Sequence, residues 1–145
     1  MIGYIGTTSM TISLQRKATM NIMKAATYEV KIYIGSREGY HGPKFEKKDL
    51  LKEIANFQTA GGKERRDMTS VRVTDTQFLA GEHTEKGWEI GIINYPRFST
   101  GKDYLNRFAH DLAYHLLYTF KQNRMSIVMQ EETWTLEGDQ AEQVH

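Results

Sequence analysis

The sequence predicts one α+β domain of the ferredoxin-like, split βαβ kind, a four-stranded antiparallel sheet with two helices on one face. Three observations carry this: strand-like apolar segments recur four times, helical spacing appears twice, and the order is strand, helix, strand, strand, helix, strand. A chain of 145 residues suffices for one proper core and falls short of two.

The first strand spans Thr27 to Gly35, where Tyr28, Val30, Ile32 and Ile34 alternate with Glu29, Lys31 and Tyr33. A loop with three glycines and Pro43 follows, and Phe45 to Gln58 then sets Leu50, Leu51, Ile54 and Phe57 on one helical face, ended by Gly61 and Gly62. Lys63 to Asp67 reads as a charged, solvated connector. The second strand runs from Ser70 to about Leu79 and is polar enough for an edge. Gly81 to Gly87 makes a hairpin turn into a third strand, Trp88 to Tyr95, stopped by Pro96. Asp103 to Gln122 is the clearest helix, with Leu105, Phe108, Ala109, Leu112, Ala113, Leu116 and Phe120 at helical spacing. Arg124 to Met129 is the last strand, and a turn at Glu131 and Glu132 leaves Thr133 to Leu136 to continue it or pair back. Residues 1–25 read as an N-terminal extension, disordered or supplying an edge strand at Met10 to Leu14. The domain occupies 26–137, and 138–145 is a polar, flexible tail.

Composition narrows the function. With 19 basic against 18 acidic residues the net charge is +1, which lacks the electrostatic footprint of a dedicated nucleic-acid binder. The absence of cysteine removes disulfide scaffolds, zinc ribbons and thiol nucleophiles and fits a reducing cytoplasm. No apolar run approaches the ~20 residues of a membrane helix.

Four groups of residues stand out. The loop Gly35–Gly42 sets Arg37, Glu38, Tyr40 and His41 among glycines between a strand and a helix, where backbone N–H groups and an arginine can hold an anion; it has neither the Walker nor the dinucleotide pattern. Glu82, His83 and Glu85 form a polar turn without the ligand spacing of a metal site, so no metal and no cofactor are expected. On the second helix Asp103, Arg107, His110, Asp111, Tyr114 and Tyr118 share the face opposite the apolar one. Tyrosine and arginine there suggest a subunit interface at Arg107, His110, Tyr114 and Tyr118, and Asp111 stands one turn before His115, placed to orient that imidazole. Trp88, Asn94 and Arg97 flank the third strand, whose two sides both look partly apolar, a further hint of dimerisation through the open sheet face.

The expected function is that of a small oligomeric binding protein. It would hold a small anionic or nucleotide-like ligand near residues 35–42 or at a subunit interface, with Arg37 pairing an anion, Tyr40 and Trp88 stacking, Glu38 or Asn94 selecting polar groups, and Arg97 completing the set. Two other classes stay open: a hydrolase or isomerase using His41 as general acid or base, and a protein whose business is its own assembly.

Overall fold

The computed structural model describes residues 19–60 and 69–139 of the chain. The elements are β1 (Glu29–Gly35), α1 (Lys47–Ala60), β2 (Arg72–Ala80), β3 (His83–Ile93), α2 (Lys102–Thr119), β4 (Arg124–Val128) and β5 (Thr133–Glu137), with a 3-10 turn at Pro96–Phe98. The strands form one antiparallel sheet in the order β2-β3-β1-β4-β5, and with the two helices they make an α+β fold. Five strands replace the expected four, because the chain turns after β4 and pairs back on it, Val128 opposite Thr133 and Arg124 opposite Glu137. The expected edge strand at Met10 to Leu14, the connector Lys63 to Asp67 and most of the tail lie outside the described residues.

β1 lies third of the five, and its alternation has the expected consequence. Val30, Ile32 and Ile34 are fully buried and meet Ile90, Ile92 and Trp88 of β3, Met125 and Ile127 of β4, and the apolar faces of both helices in one core. α2 supplies most of the lid through Leu105, Phe108, Ala109, Leu112, Ala113, Leu116 and Leu117. It ends where Lys121 takes the left-handed conformation and the Gln122 N–H reaches back 2.9 Å to the Leu117 carbonyl, a Schellman ending with lysine where glycine is usual. α1 begins where the Asp49 carboxylate accepts the Glu46 N–H at 2.9 Å, half of a capping box. Its buried residues are Leu50 and Ile54; Leu51, assigned above to the apolar face, is 46% exposed because it sits a further 100° around the helix.

β3 begins five residues earlier than the composition suggested. The turn takes only Gly81 and Glu82, with Ala80 opposite His83, and Gly81 supplies the positive φ of 66° that a two-residue hairpin requires. The extra length, His83 to Gly87, pairs with the outer half of β2.

The second sheet face is mixed in character, apolar at Ile93, Val128 and Phe78 and polar over most of its centre. Register places Glu29, Lys31, Tyr33, Glu89, Arg72, Thr74 and Ser126 on it together with Ile93 and Val128, while Trp88, Ile90 and Ile92 all turn to the core. Three glycines let side chains from the neighbouring strand lie flat across it: Phe78 over Gly87, the Arg72 guanidinium over Gly91, and the Glu85 carboxylate over Gly35. Arg72 closes on Glu29, and the Tyr33 hydroxyl donates to Glu89 at 3.0 Å with Phe78 edge-on to its ring. Burial, then the hydrogen bond to Glu89 and the negative charges of Glu89 and Glu29, push the Tyr33 phenol above its ordinary 10.0. A raised pKa in the folded state means the fold holds that proton more tightly, so this stabilisation is complete below the ordinary value and is lost as pH rises through the folded one. Tyr33→Phe should therefore flatten the alkaline fall in stability, measured by urea unfolding at pH about 8 and about 11. An unchanged alkaline slope would refute the assignment.

Candidate functional site

The glycine-rich loop after β1 spends its donors on the protein itself. Glu85 Oε2 accepts the N–H groups of Ser36 at 3.0 Å and Arg37 at 3.2 Å, occupying the position in which an anionic ligand was expected. Glu38 N–H donates to Pro43, Gly39 N–H to Lys121 and Gly42 N–H to Glu38, each at 2.8–2.9 Å, while the Arg37 guanidinium donates to the Gly42 carbonyl and Gln122 donates to that of Arg37. Arg37 thus closes the loop on itself. Tyr40 is 44% exposed, its hydroxyl paired with Arg124. His41 is exposed, its ring edge-on to Tyr40, and among the described residues it makes no hydrogen bond that would orient it as an acid or base.

The remaining strand-end residues make their contacts within the protein. Trp88, expected to stack on a ligand, is buried beneath Phe45 at 5.5 Å between ring centres, which withdraws it from any ligand. Asn94 is also buried: its amide donates to Ala26 O at 2.9 Å and its oxygen accepts the Thr100 N–H at 3.2 Å, tying the segments before β1 and α2 together. Arg97 rests 5.5 Å over the Phe98 ring on the 3-10 turn. Since β1 and β3 are antiparallel, Arg97 and Arg37 stand at opposite ends of the sheet, ~20 Å of strand apart. His115 turns from Asp111 to Glu53 of α1, 3.0 Å away, and so clasps the two helices.

A cleft of about 400 Å³ opens elsewhere, between the first half of α2 and the β4–β5 hairpin. Tyr28, Ile127 and Met129 form its floor. One wall is Lys102, Asn106 and His110, four residues apart along α2, with Arg107 beside them; the other is Glu131, Glu132 and Trp134. Lys102 reaches across the mouth to Glu131 at 3.3 Å, and that contact holds its ammonium pKa above the ordinary lysine value. The Trp134 indole donates to Glu132 at 2.6 Å, which fixes a ring that is 43% exposed. His110 meets that ring edge-on at 5.3 Å and Tyr114 at 5.6 Å, and Tyr114 stacks on Tyr118 at 5.4 Å. An aromatic row therefore leads from the cleft along α2.

Of the residues singled out from the sequence, Arg107 and His110 line this cleft, and Tyr114 and Tyr118 extend it. Tyr28, Lys102, Asn106, Met129, Glu131, Glu132 and Trp134 were missed. A tryptophan in an otherwise polar stretch after the last strand was the available signal. Chemically, the arrangement offers an apolar floor, an indole, a cation pair and a carboxylate pair, the composition of a small-molecule site.

No protein-family model and no curated protein sequence matches the chain. Solved structures do share its fold, two of a phage SAM lyase among them. A phage SAM lyase in complex with S-methyl-5'-thioadenosine superposes with a TM-score of 0.64 at 16% identity, over 86% of this chain and 100% of the other. A phage SAM lyase in the apo state gives 0.63 at the same identity and coverage.

Proposed function

We propose that the chain binds an adenosine-bearing thioether or sulfonium in the cleft between α2 and the β4–β5 hairpin. The observation that carries this reading is the lining: Trp134 beside a floor of Tyr28, Ile127 and Met129, with acids and bases on opposed sides. An indole suits a planar base, and it also attracts a sulfonium through its ring electrons, helped by Glu131 and Glu132. Arg107, which has no ion-pair partner among the described residues, suits a carboxylate on the ligand. The size falls in the range of such sites, ~300–1,000 Å³. Support also comes from the fold neighbour, which carries S-methyl-5'-thioadenosine and is covered over its whole length. The strand order β2-β3-β1-β4 further leads us to infer a ferredoxin-like core to which β5 is added.

The test uses the two tryptophans. Trp88 is buried and Trp134 lines the cleft, so titration of the full chain with S-methyl-5'-thioadenosine or S-adenosylmethionine should change the emission of Trp134 alone. Trp134→Ala should weaken binding measured calorimetrically by about 1–3 kcal/mol, the usual worth of stacking one base on an aromatic ring. No heat and no emission change with either compound would refute the site. A second reading, that the chain also cleaves the sulfonium, is favoured by the neighbour's activity as a lyase. Release of S-methyl-5'-thioadenosine from S-adenosylmethionine in the same incubations decides between binding and turnover.

A further inference from the structure

Within the cleft most polar groups are already committed. Lys102 pairs with Glu131, the Trp134 N–H with Glu132, and the Tyr28 hydroxyl donates to Asn106 Oδ1 at 2.5 Å. Tyr28 is 6% exposed, and its own carbonyl accepts the Asn94 N–H at 3.0 Å, so the phenol is held from both ends of the residue. An amide whose oxygen is anchored on a fixed phenol has its rotation settled, which leaves its NH2 as the end that faces a ligand. Among the described residues that NH2 meets no acceptor, and the one enclosed side-chain polar atom without a partner is the Tyr104 hydroxyl, so the Asn106 nitrogen is open to the cleft. Of the other groups with polar atoms to spare, His110 packs its ring against Trp134 and Tyr114, and Arg107 is exposed and charged and suits an anionic group, whereas a neutral amide donor suits a neutral acceptor.

We propose that the Asn106 amide donates to a ring nitrogen of the bound base, with Tyr28 as the positioning residue that fixes which end of the amide is presented. The inference rests on the cleft being a nucleoside site and adds which feature of the base it reads. A purine without that nitrogen should be discriminated against, and a pyrimidine would present its acceptors at a different distance from Trp134.

The experiment is a cycle of protein and ligand changes. S-methyl-5'-thioadenosine and its 1-deaza, 3-deaza and 7-deaza analogues are titrated calorimetrically into the wild-type chain, Asn106→Ala, Asn106→Asp and Tyr28→Phe. One deaza analogue should bind the wild type about tenfold more weakly, a factor that one hydrogen bond can supply. Asn106→Ala should lose the same factor with the parent compound and show no further loss with that analogue, because the same contact has been removed from either side. Asn106→Asp keeps the shape without the NH2 and gives the same comparison should the alanine variant fold poorly. Tyr28→Phe retains the packing and frees the amide to turn, so it should weaken the parent about threefold and shrink the coupling. Additive losses, coupling to none of the ring nitrogens, or parent binding unchanged in both Asn106 variants overturns the proposal while leaving the site in place. No binding of the parent compound by the wild type overturns both.

Discussion

Ile32→Ala is expected to lower the unfolding free energy by about 3–4 kcal/mol, read from the urea midpoint at constant slope. Ile32 is fully buried at the centre of the central strand, with Ile90 opposite on one side and Ile127 on the other. Both helices cover the same core, so no neighbour is free to collapse into the space left by three carbons. Against a typical total of about 5–15 kcal/mol, such a loss is a large share of the stability of the domain. Leu51→Ala is the matched control: an exposed leucine on α1 should cost well under about 1 kcal/mol. Equal costs at the two positions would contradict the division of the α1 and β1 faces described above.

Gly87→Ala should be the second costly change, at about 2–3 kcal/mol, in the range of overpacked sites. A Cβ at Gly87 would stand 2.4 Å from the Ile34 carbonyl oxygen and 2.4 Å from the Phe78 ring. The ring can swing aside; the carbonyl belongs to the central strand and cannot. Gly81 provides the contrast, since its Cβ would meet nothing within 4 Å and only the left-handed φ of 66° is unfavourable. Gly81→Ala should therefore cost about 1–2 kcal/mol through backbone strain alone. The ordering of the two variants in urea unfolding is the test, and the reverse order would mean that β3 relaxes away from β1.

The elements legible in the sequence were those with one strongly apolar side. β1 and α2 carry uninterrupted periodicity because each buries one side completely. The first half of β3 was unreadable for the opposite reason: His83 to Lys86 lie in ladder register with the edge strand alone and remain largely exposed, so their polarity resembles a turn. β5 is similar, five residues of which only Leu136 is appreciably covered. The site was harder still. The loop at residues 35–42 has the composition of a ligand loop, and what fills it is the Glu85 carboxylate, 48 residues away from Arg37. Conversely, the cleft joins one wall of a helix to a hairpin that follows it, and no local spacing records that Asn106 and Trp134 face the same space.

The placement of β5 has a consequence for how such a protein can diverge. The first four strands and both helices enclose the core, whereas Glu131, Glu132 and Trp134 belong to a hairpin attached at the outer margin of the sheet. Substitutions in that hairpin can reshape one wall of the cleft with little effect on folding, as changes at exposed positions usually have. Selection can therefore retune what the cleft admits at little risk to the scaffold, and lineages with this architecture should vary most in the segment that closes it.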